Sequence, residues 1–485
     1  MSTLPGKLPV TAALALLFAG LLTAAWGLPP ASVAVAAAAM AVCGASVLVY
    51  ARGADAGAFP VFPLLMSFYA VCFVLPVFLF DYLWPSGGPK FVYRLVPNDP
   101  LSLIDAGILA SVLAGVTLLA VAFLLGRRWM TPRLPRFALP RQFDDRRLIV
   151  LAWLLLAGHL LHIFVPAVQR LPSVGQFLTP AGYVAYAVLL LMWRDKRING
   201  WHAAVVFCIT LPAILVKKAT GGLLTPLMLY GILIFLLLFA ASARKALMLA
   251  LAGGAFLLLC YGPTTVVREK LIVHPEFNGL SIAQKIDAVS GLLSHRHRDF
   301  ERMKPLGSTG MVVRRLALLP LYAVVATKTP DEVPYWGGTT YKPALTSFVP
   351  RALWPGKPTE TNGNAFGRRY DLITPAHLQM SVNIPWIVEM RANFGLAGVL
   401  VGMTLVGLLM ALLDRFFNRR EASSLEQGVG IAIIFPLVYQ ESNFSLMCGS
   451  LLPLTICLWL YFRLGLTWFP NLESKILAAL GRPLR

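Results

Sequence analysis

The sequence predicts an all-α, polytopic membrane protein of about twelve spans with one large loop on its outer side. Three observations lead there. The chain has 485 residues, 58% hydrophobic and 13% charged, against about 25% charged in a soluble globular protein, and its mean hydropathy is +0.71. Apolar runs recur that match the roughly 20 residues a crossing helix needs. Basic residues alternate between rich and poor short loops along the chain. Such a chain cannot cover a water-facing surface, so the soluble, disordered and fibrous classes are excluded.

The apolar runs lie near 8–28, 31–51, 60–80, 102–126, 148–166, 178–193, 201–216, 219–241, 246–266, 394–414, 427–445 and 447–466. The first follows Met1–Lys7 like a signal peptide, but a second run starts directly after Pro29 and Pro30, so a retained signal anchor is expected. With the N-terminus inside, the short inner loops and tails carry 21 Lys and Arg, seven of them between Arg127 and Arg147. The short outer loops carry 5: Lys90, Arg94, Arg170, Lys217 and Lys218. Both termini are therefore expected in the cytoplasm.

Three regions follow: 1–267 with nine spans, a large outer loop over 268–393, and 394–485 with three spans and a cytoplasmic tail. The loop holds 16 basic and ten acidic residues. Its Trp336, Trp354 and Trp386, many prolines and few serines are not a disordered composition, and long loops carry function. Within it Met311–Thr327 is apolar, but Arg314 and Arg315 open the stretch and Pro320 interrupts it. An interfacial or re-entrant helix is expected there rather than a thirteenth span, which would turn Arg415, Arg419 and Arg420 outward.

The net charge of +20, from 42 Lys+Arg against 22 Asp+Glu, points to anionic lipid and lipid-linked anions rather than to nucleic acid. All six cysteines sit in apolar stretches without metal-ligand spacing. His159 and His162, three apart, read as a polar packing pair, since two histidines without a third ligand make a poor metal site. Phosphate-binding, zinc-protease and serine-hydrolase motifs are absent, as are paired nucleotide-sugar aspartates, so no metal and no cofactor are expected.

The candidate chemistry lies in the outer loop and its flanks. In Phe348-Val-Pro-Arg351-Ala-Leu-Trp354-Pro-Gly-Lys357-Pro358, three prolines stiffen a turn that presents a guanidinium and an ammonium around an aromatic. Arginine suits two-pronged binding of phosphate oxygens, and lysine acts as a point charge. The same string also reads as a connector touching lipid phosphate. Arg368 and Arg369 form a second cationic cluster after Asn362-Gly-Asn364. Glu389 and Asn393 share one helix face near the membrane surface, with Arg391 between them; an ion pair of structural use only is the plain alternative. Lys217 and Lys218 interrupt two apolar runs before Gly221 and Gly222, as snorkelling cations or as an anion site. Glu441 is a carboxylate at an apolar run's outer edge, a functional suspect by default, and His377 is a loop imidazole.

Three of these strings, Phe348–Pro358, Gly363-Asn364-Ala-Phe-Gly367-Arg368, and Asn383-Ile-Pro385-Trp386-Ile-Val-Glu389 through Asn393-Phe394-Gly395-Leu-Ala-Gly398, resemble the Wzy-type oligosaccharide repeat-unit polymerases of O-antigen and exopolysaccharide synthesis. The match covers about 50 residues. Lys218-Ala-Thr-Gly-Gly is similar to a family feature where arginine is more usual. The resemblance implies a GT-C-like membrane glycosyltransferase of the bacterial inner membrane, acting on undecaprenyl-diphosphate-linked glycans at the periplasmic face. The bound ligands would be that glycan and membrane lipids, with a chain-length co-polymerase as a further partner. Arg351, Lys357, Trp354, Arg368, Arg369, Arg391, Lys217 and Lys218 would then bind the diphosphate or sugar, and Glu389, His377 or Glu441 would take the proton. An O-antigen ligase, using the same donor, is the nearest alternative, and a lipid-linked oligosaccharide flippase is the alternative of another class.

Overall fold

Inside a bilayer every backbone N–H and C=O must find a partner within the protein, and helices satisfy that demand locally. The computed structural model describes residues 29–53, 58–79, 103–129, 136–140, 143–171, 174–219, 224–242, 315–347, 361–373 and 380–479, with scattered positions between them. The expectations for 8–28, most of 246–266, Arg351 and His377 lie outside the described residues. The described residues are mostly helical, with no strand among them.

Eight helices among them are long and apolar enough to cross a membrane. They include α1 (Pro30–Arg52), α2 (Val61–Phe78), α3 (Ala106–Trp129), α4 (Asp145–Phe164), α5 (Val174–Arg194) and α6 (Gly200–Lys218). Then come α7 (Leu224–Ala241), α8 (Leu319–Lys328), α9 (Asn362–Arg369), α10 (Trp386–Phe417), α11 (Ser424–Ile434) and α12 (Leu451–Ala479). Of these, α10 qualifies as a candidate span over its whole length, and α12 as part of the candidate span Phe444–Thr467. α7, α8 and the Ser424–Val438 stretch have shorter apolar segments.

Two of the expected runs differ from what is found. The stretch expected to cross over 427–445 stops being helical after Val438, and Tyr439–Asn443 forms a turn before the chain becomes helical again at Phe444. Gln440, Glu441 and Asn443 cannot lie against hydrocarbon unpaired, and all three are buried. The run expected from 394 starts eight residues earlier, at Trp386, and breaks at Phe394–Gly395, where Gly395 takes φ +65°. A Cβ there would come within 2.7 Å of the Tyr335 hydroxyl, so only glycine fits both the backbone and the space.

α3 and α10 run side by side in the same direction and form the centre of the bundle. Gly407 presses directly on the backbone of Leu119, which lets the two helices approach closely. Arg127 and Asp414 close this pair with a buried ion bridge, and Asn418 donates to Asp414 Oδ1 at 2.7 Å. α4 and α5 are antiparallel, with His159 packed on Gly182, bound through Nδ1 to the Leu178 carbonyl and through Nε2 to the Tyr230 hydroxyl. That is the packing role expected for this histidine.

The interhelical loops sort into two ends. Asn418 pairs with the backbone of Phe59, Phe137 N–H with the Phe416 carbonyl, Arg197 with Asp145, and Ser424 with Asp195. The arginine-rich segments after α1, α3, α5 and α10 therefore share one end. The opposite end gathers α8, α9 and the turns at 329–347 and 439–449. α8 spans about 15 Å at 1.5 Å per residue, half a hydrocarbon core. Its contacts all belong to that second end: Leu318 N–H to the Cys72 carbonyl, Tyr322 hydroxyl to Ser111, and Arg391 to the Ala326 carbonyl.

Candidate functional site

The second end is organised by the break in α10. Stopping a helix strands its last carbonyls. Here those of Ala392 and Asn393 accept the N–H groups of Trp336 and Gly337 at 3.1 and 3.3 Å. The Asn393 side chain fixes the junction from three sides. Its Oδ1 accepts from Gly338 N–H, and its Nδ2 donates to Thr340 Oγ1 and to the Glu389 carbonyl, each at 2.8 Å. Thr340 in turn offers its carbonyl to Ser445 Oγ at 2.7 Å and Asn362 Nδ2 at 3.0 Å. The 336–340 segment is thus bolted to α10 and to the turn before α12.

Glu389 is fully buried in this layer, and its Oε2 accepts the Phe444 N–H at 2.7 Å. Asn443 occupies the cap position but makes no side-chain cap bond, so the Glu389 carboxylate serves an orphan donor at the start of that helical turn. Tyr341 stands close by: burial first, and the Glu389 charge next, push its phenol well above the usual range. Its ring stacks at 6.4 Å on Phe394 and meets Phe444 edge-on at 6.0 Å.

Glu441 belongs to the Tyr439–Asn443 turn that leads into Phe444. It is buried, and the half-exposed Arg315 reaches it at 2.5 Å. Its neighbour Gln440 accepts from the Tyr69 hydroxyl through Oε1 at 2.5 Å, and its backbone carbonyl accepts from Trp386 N–H at 3.4 Å. Arg315 belongs to the site, yet charge counting placed it only at the start of an apolar stretch. An arginine opening an apolar run was the signal available.

The other expected residues divide. Arg391 leans on α8 at Ala326. Arg368 is bound to Asn364, while Arg369 donates to the Pro334 carbonyl at 2.8 Å and lies 4.7 Å over the Trp336 ring. Lys357 donates to the Val349 carbonyl at 3.0 Å, and Trp354 is exposed. Lys217 and Lys218 close α6 elsewhere in the bundle, against α4 and α7, with Lys218 within electrostatic reach of His159 and His162. Among the described residues no three His, Cys, Asp or Glu gather as a metal site.

With that geometry in place, the profile of a domain of unknown function, DUF8712, matches residues 133–458. The chain belongs to this family. The DUF8712 match runs from the segment before α4 into α12 and takes in both carboxylates, Arg315 and the two helix breaks. It leaves out α3, although α3 is the helix on which α10 packs most extensively. None of the curated proteins and none of the solved structures matches the chain.

Proposed function

We propose that this DUF8712 protein is a GT-C-like membrane glycosyltransferase that polymerises undecaprenyl-diphosphate-linked oligosaccharide repeat units. The proposal includes twelve spans in the bacterial inner membrane, both termini in the cytoplasm and the Glu389 end facing the periplasm. One observation carries it: a fully buried carboxylate, Glu389, sits where a spanning helix breaks, in the end layer that also holds Arg315 and Arg391. An ionisable group at such depth is a functional site by default, and cations beside it suit an anionic leaving group.

The reaction balances without further reagents. The hydroxyl oxygen of the acceptor sugar forms a bond to the anomeric carbon of the donor, whose bond to the diphosphate oxygen breaks. The diphosphate leaves with the electron pair and its charge is met by arginine and lysine. The hydroxyl proton goes to Glu389. In vesicles holding the purified protein and a lipid-linked repeat unit, a ladder of longer glycans is the expected product, unchanged by chelator. A wild-type protein that forms no ladder, or a ladder abolished by chelator and restored by a divalent metal, overturns this mechanism. In cells, deletion should leave single repeat units on the lipid carrier; long unligated chains would mean a ligase, and inward-facing units a flippase.

A further inference from the structure

Among the described residues three ion pairs hold a carboxylate that is all but buried, and their cations differ. Beside Asp414 the Arg127 side chain is 10% exposed, and beside Glu426 that of Arg419 is 11% exposed. Both arginines are enclosed in the packing, Arg127 over the Tyr50 ring at 5.1 Å and Arg419 donating to the Phe137 carbonyl at 2.6 Å. Beside Glu441 the Arg315 side chain is 35% exposed, although the carboxylate itself is only 2% exposed. A carboxylate taken out of water needs a cation, so Glu441 depends on Arg315. Burial asks nothing comparable of a guanidinium this open, which carries five donors in a rigid fork. The pair therefore holds the guanidinium in a fixed place with part of it turned outward.

That place is set by two elements. Glu441 stands three residues before Phe444, whose N–H Glu389 binds, and three residues span at most about 11 Å. Leu318, three residues after Arg315, donates its N–H to the Cys72 carbonyl, and Cys72 lies within electrostatic reach of both Glu441 and Arg315. Cys72 is six residues, about 9 Å, short of the Phe78 end of α2, a candidate span. In a bilayer an arginine open at that level is costly until an anion or water reaches it. A phosphate suits it best, because the fork meets two phosphate oxygens at once.

We infer that Arg315 binds the phosphate of the lipid-linked substrate and that Glu441 is its positioning residue, not the proton acceptor. The identity of the lipid rests on the transfer reading above. The division of roles follows from charge. A Glu441 that took the proton would lose the charge that holds Arg315, whereas the Phe444 N–H that Glu389 holds is neutral.

The test uses the full-length protein in nanodiscs with undecaprenyl phosphate as the probe. Arg315→Met with Glu441→Met removes both charges together, so that no buried carboxylate is left without its cation, and a thermal melt checks the fold. This double variant should bind the probe at least about tenfold more weakly, the loss of one charge-assisted hydrogen bond. Arg127→Met with Asp414→Leu, which removes an enclosed pair in the same way, should leave binding unchanged. Exchanging the partners, Arg315→Glu with Glu441→Arg, keeps an ion pair and should not restore binding, since the cation then stands at the buried position. In the extension assay Glu441→Gln should raise KM for the lipid-linked repeat unit far more than it lowers kcat. Unchanged affinity in the folded double variant, or binding restored by the exchange, overturns the phosphate site. Inorganic pyrophosphate competing as strongly as the lipid overturns the assignment to a lipid-borne phosphate. A kcat at least about a hundredfold lower for Glu441→Gln at unchanged KM makes Glu441 the proton acceptor and overturns its positioning role. Absence of glycan extension by the unchanged protein, with Arg315-dependent binding intact, sinks the transfer reading and leaves the phosphate site.

Discussion

Glu389 has two possible duties, and one substitution separates them. As a cap it satisfies the Phe444 N–H at 2.7 Å; as a base it accepts a proton from the acceptor sugar. Glu389→Gln keeps the length of the side chain and a carbonyl oxygen for that N–H, and removes the basicity. The structural loss should be limited to replacing a charged acceptor at a helix start by a neutral one, about 0.3–1 kcal/mol. Glu389→Ala instead strands a buried N–H, at about 1–3 kcal/mol. General base catalysis contributes about 10²–10⁴ in rate, far outside what the small stability change of the Gln variant produces. The assay is the single-turnover rate of glycan extension in vesicles, with a thermal melt on the same preparations. The base role predicts a Gln variant that melts near wild type and turns over at least a hundredfold more slowly. A Gln variant with near-normal rate alongside a destabilised Ala variant would make Glu389 a cap only. His377→Ala and Glu441→Gln in the same assay show whether another group takes the proton.

Arg351→Ala and Lys357→Ala should leave expression normal and accumulate single repeat units, with rate losses of about 10²–10³; Arg351→Lys should fail as well, because a planar fork is replaced by a point charge. Normal polymer from Arg351→Ala would return the turn to a connector. Reporter fusions after Arg136 and after Arg420 should read as cytoplasmic and one at Asp331 as periplasmic, and a periplasmic signal after Arg420 would break the topology. At the opposite end, Arg127→Met should lower stability by about 3–5 kcal/mol because Asp414 stays buried without its cation, and adding Asp414→Leu should recover most of that loss. Denaturation in detergent reads both, and an additive double variant would deny the coupling.

Much of the bundle was legible because hydrophobic length is a local property. The runs that became α1 and α4 carry no Asp, Glu, Lys or Arg, and that of α3 only Asp105 near its start. The sorting of arginines anticipated which loops meet, as the Arg197–Asp145 and Arg127–Asp414 bridges illustrate. The breaks were harder. Asn393-Phe394-Gly395 lies inside a sequence that stays helix-compatible on both sides, and only the approach of Tyr335 from the outer loop demands the left-handed glycine. In Tyr439–Asn443 the polar run itself was the signal, masked by the apolar residues around it. Cation roles were the least legible. Arg368 and Arg369 have the composition of a phosphate cluster, but the partners they meet, Asn364 within their own helix and Trp336 and Pro334 from the preceding loop, are set by the fold.

The two breaks and the 336–340 segment form one mechanical unit. An interrupted helix inside a membrane is tolerated only where other protein groups satisfy the freed backbone. Here the 336–340 segment supplies donors to the carbonyls of Ala392 and Asn393, and Glu389 supplies an acceptor to the N–H of Phe444. Asn393 binds Gly338 and Thr340 with one side chain, and Thr340 binds Ser445, so each break is satisfied through residues that also hold the other. The polar groups a glycosyl transfer would use are thus the same groups that keep the interrupted spans intact. Asn393→Leu, which removes all three of its side-chain bonds, should therefore loosen both breaks together, and its loss of stability should exceed that of Thr340→Val, which removes one.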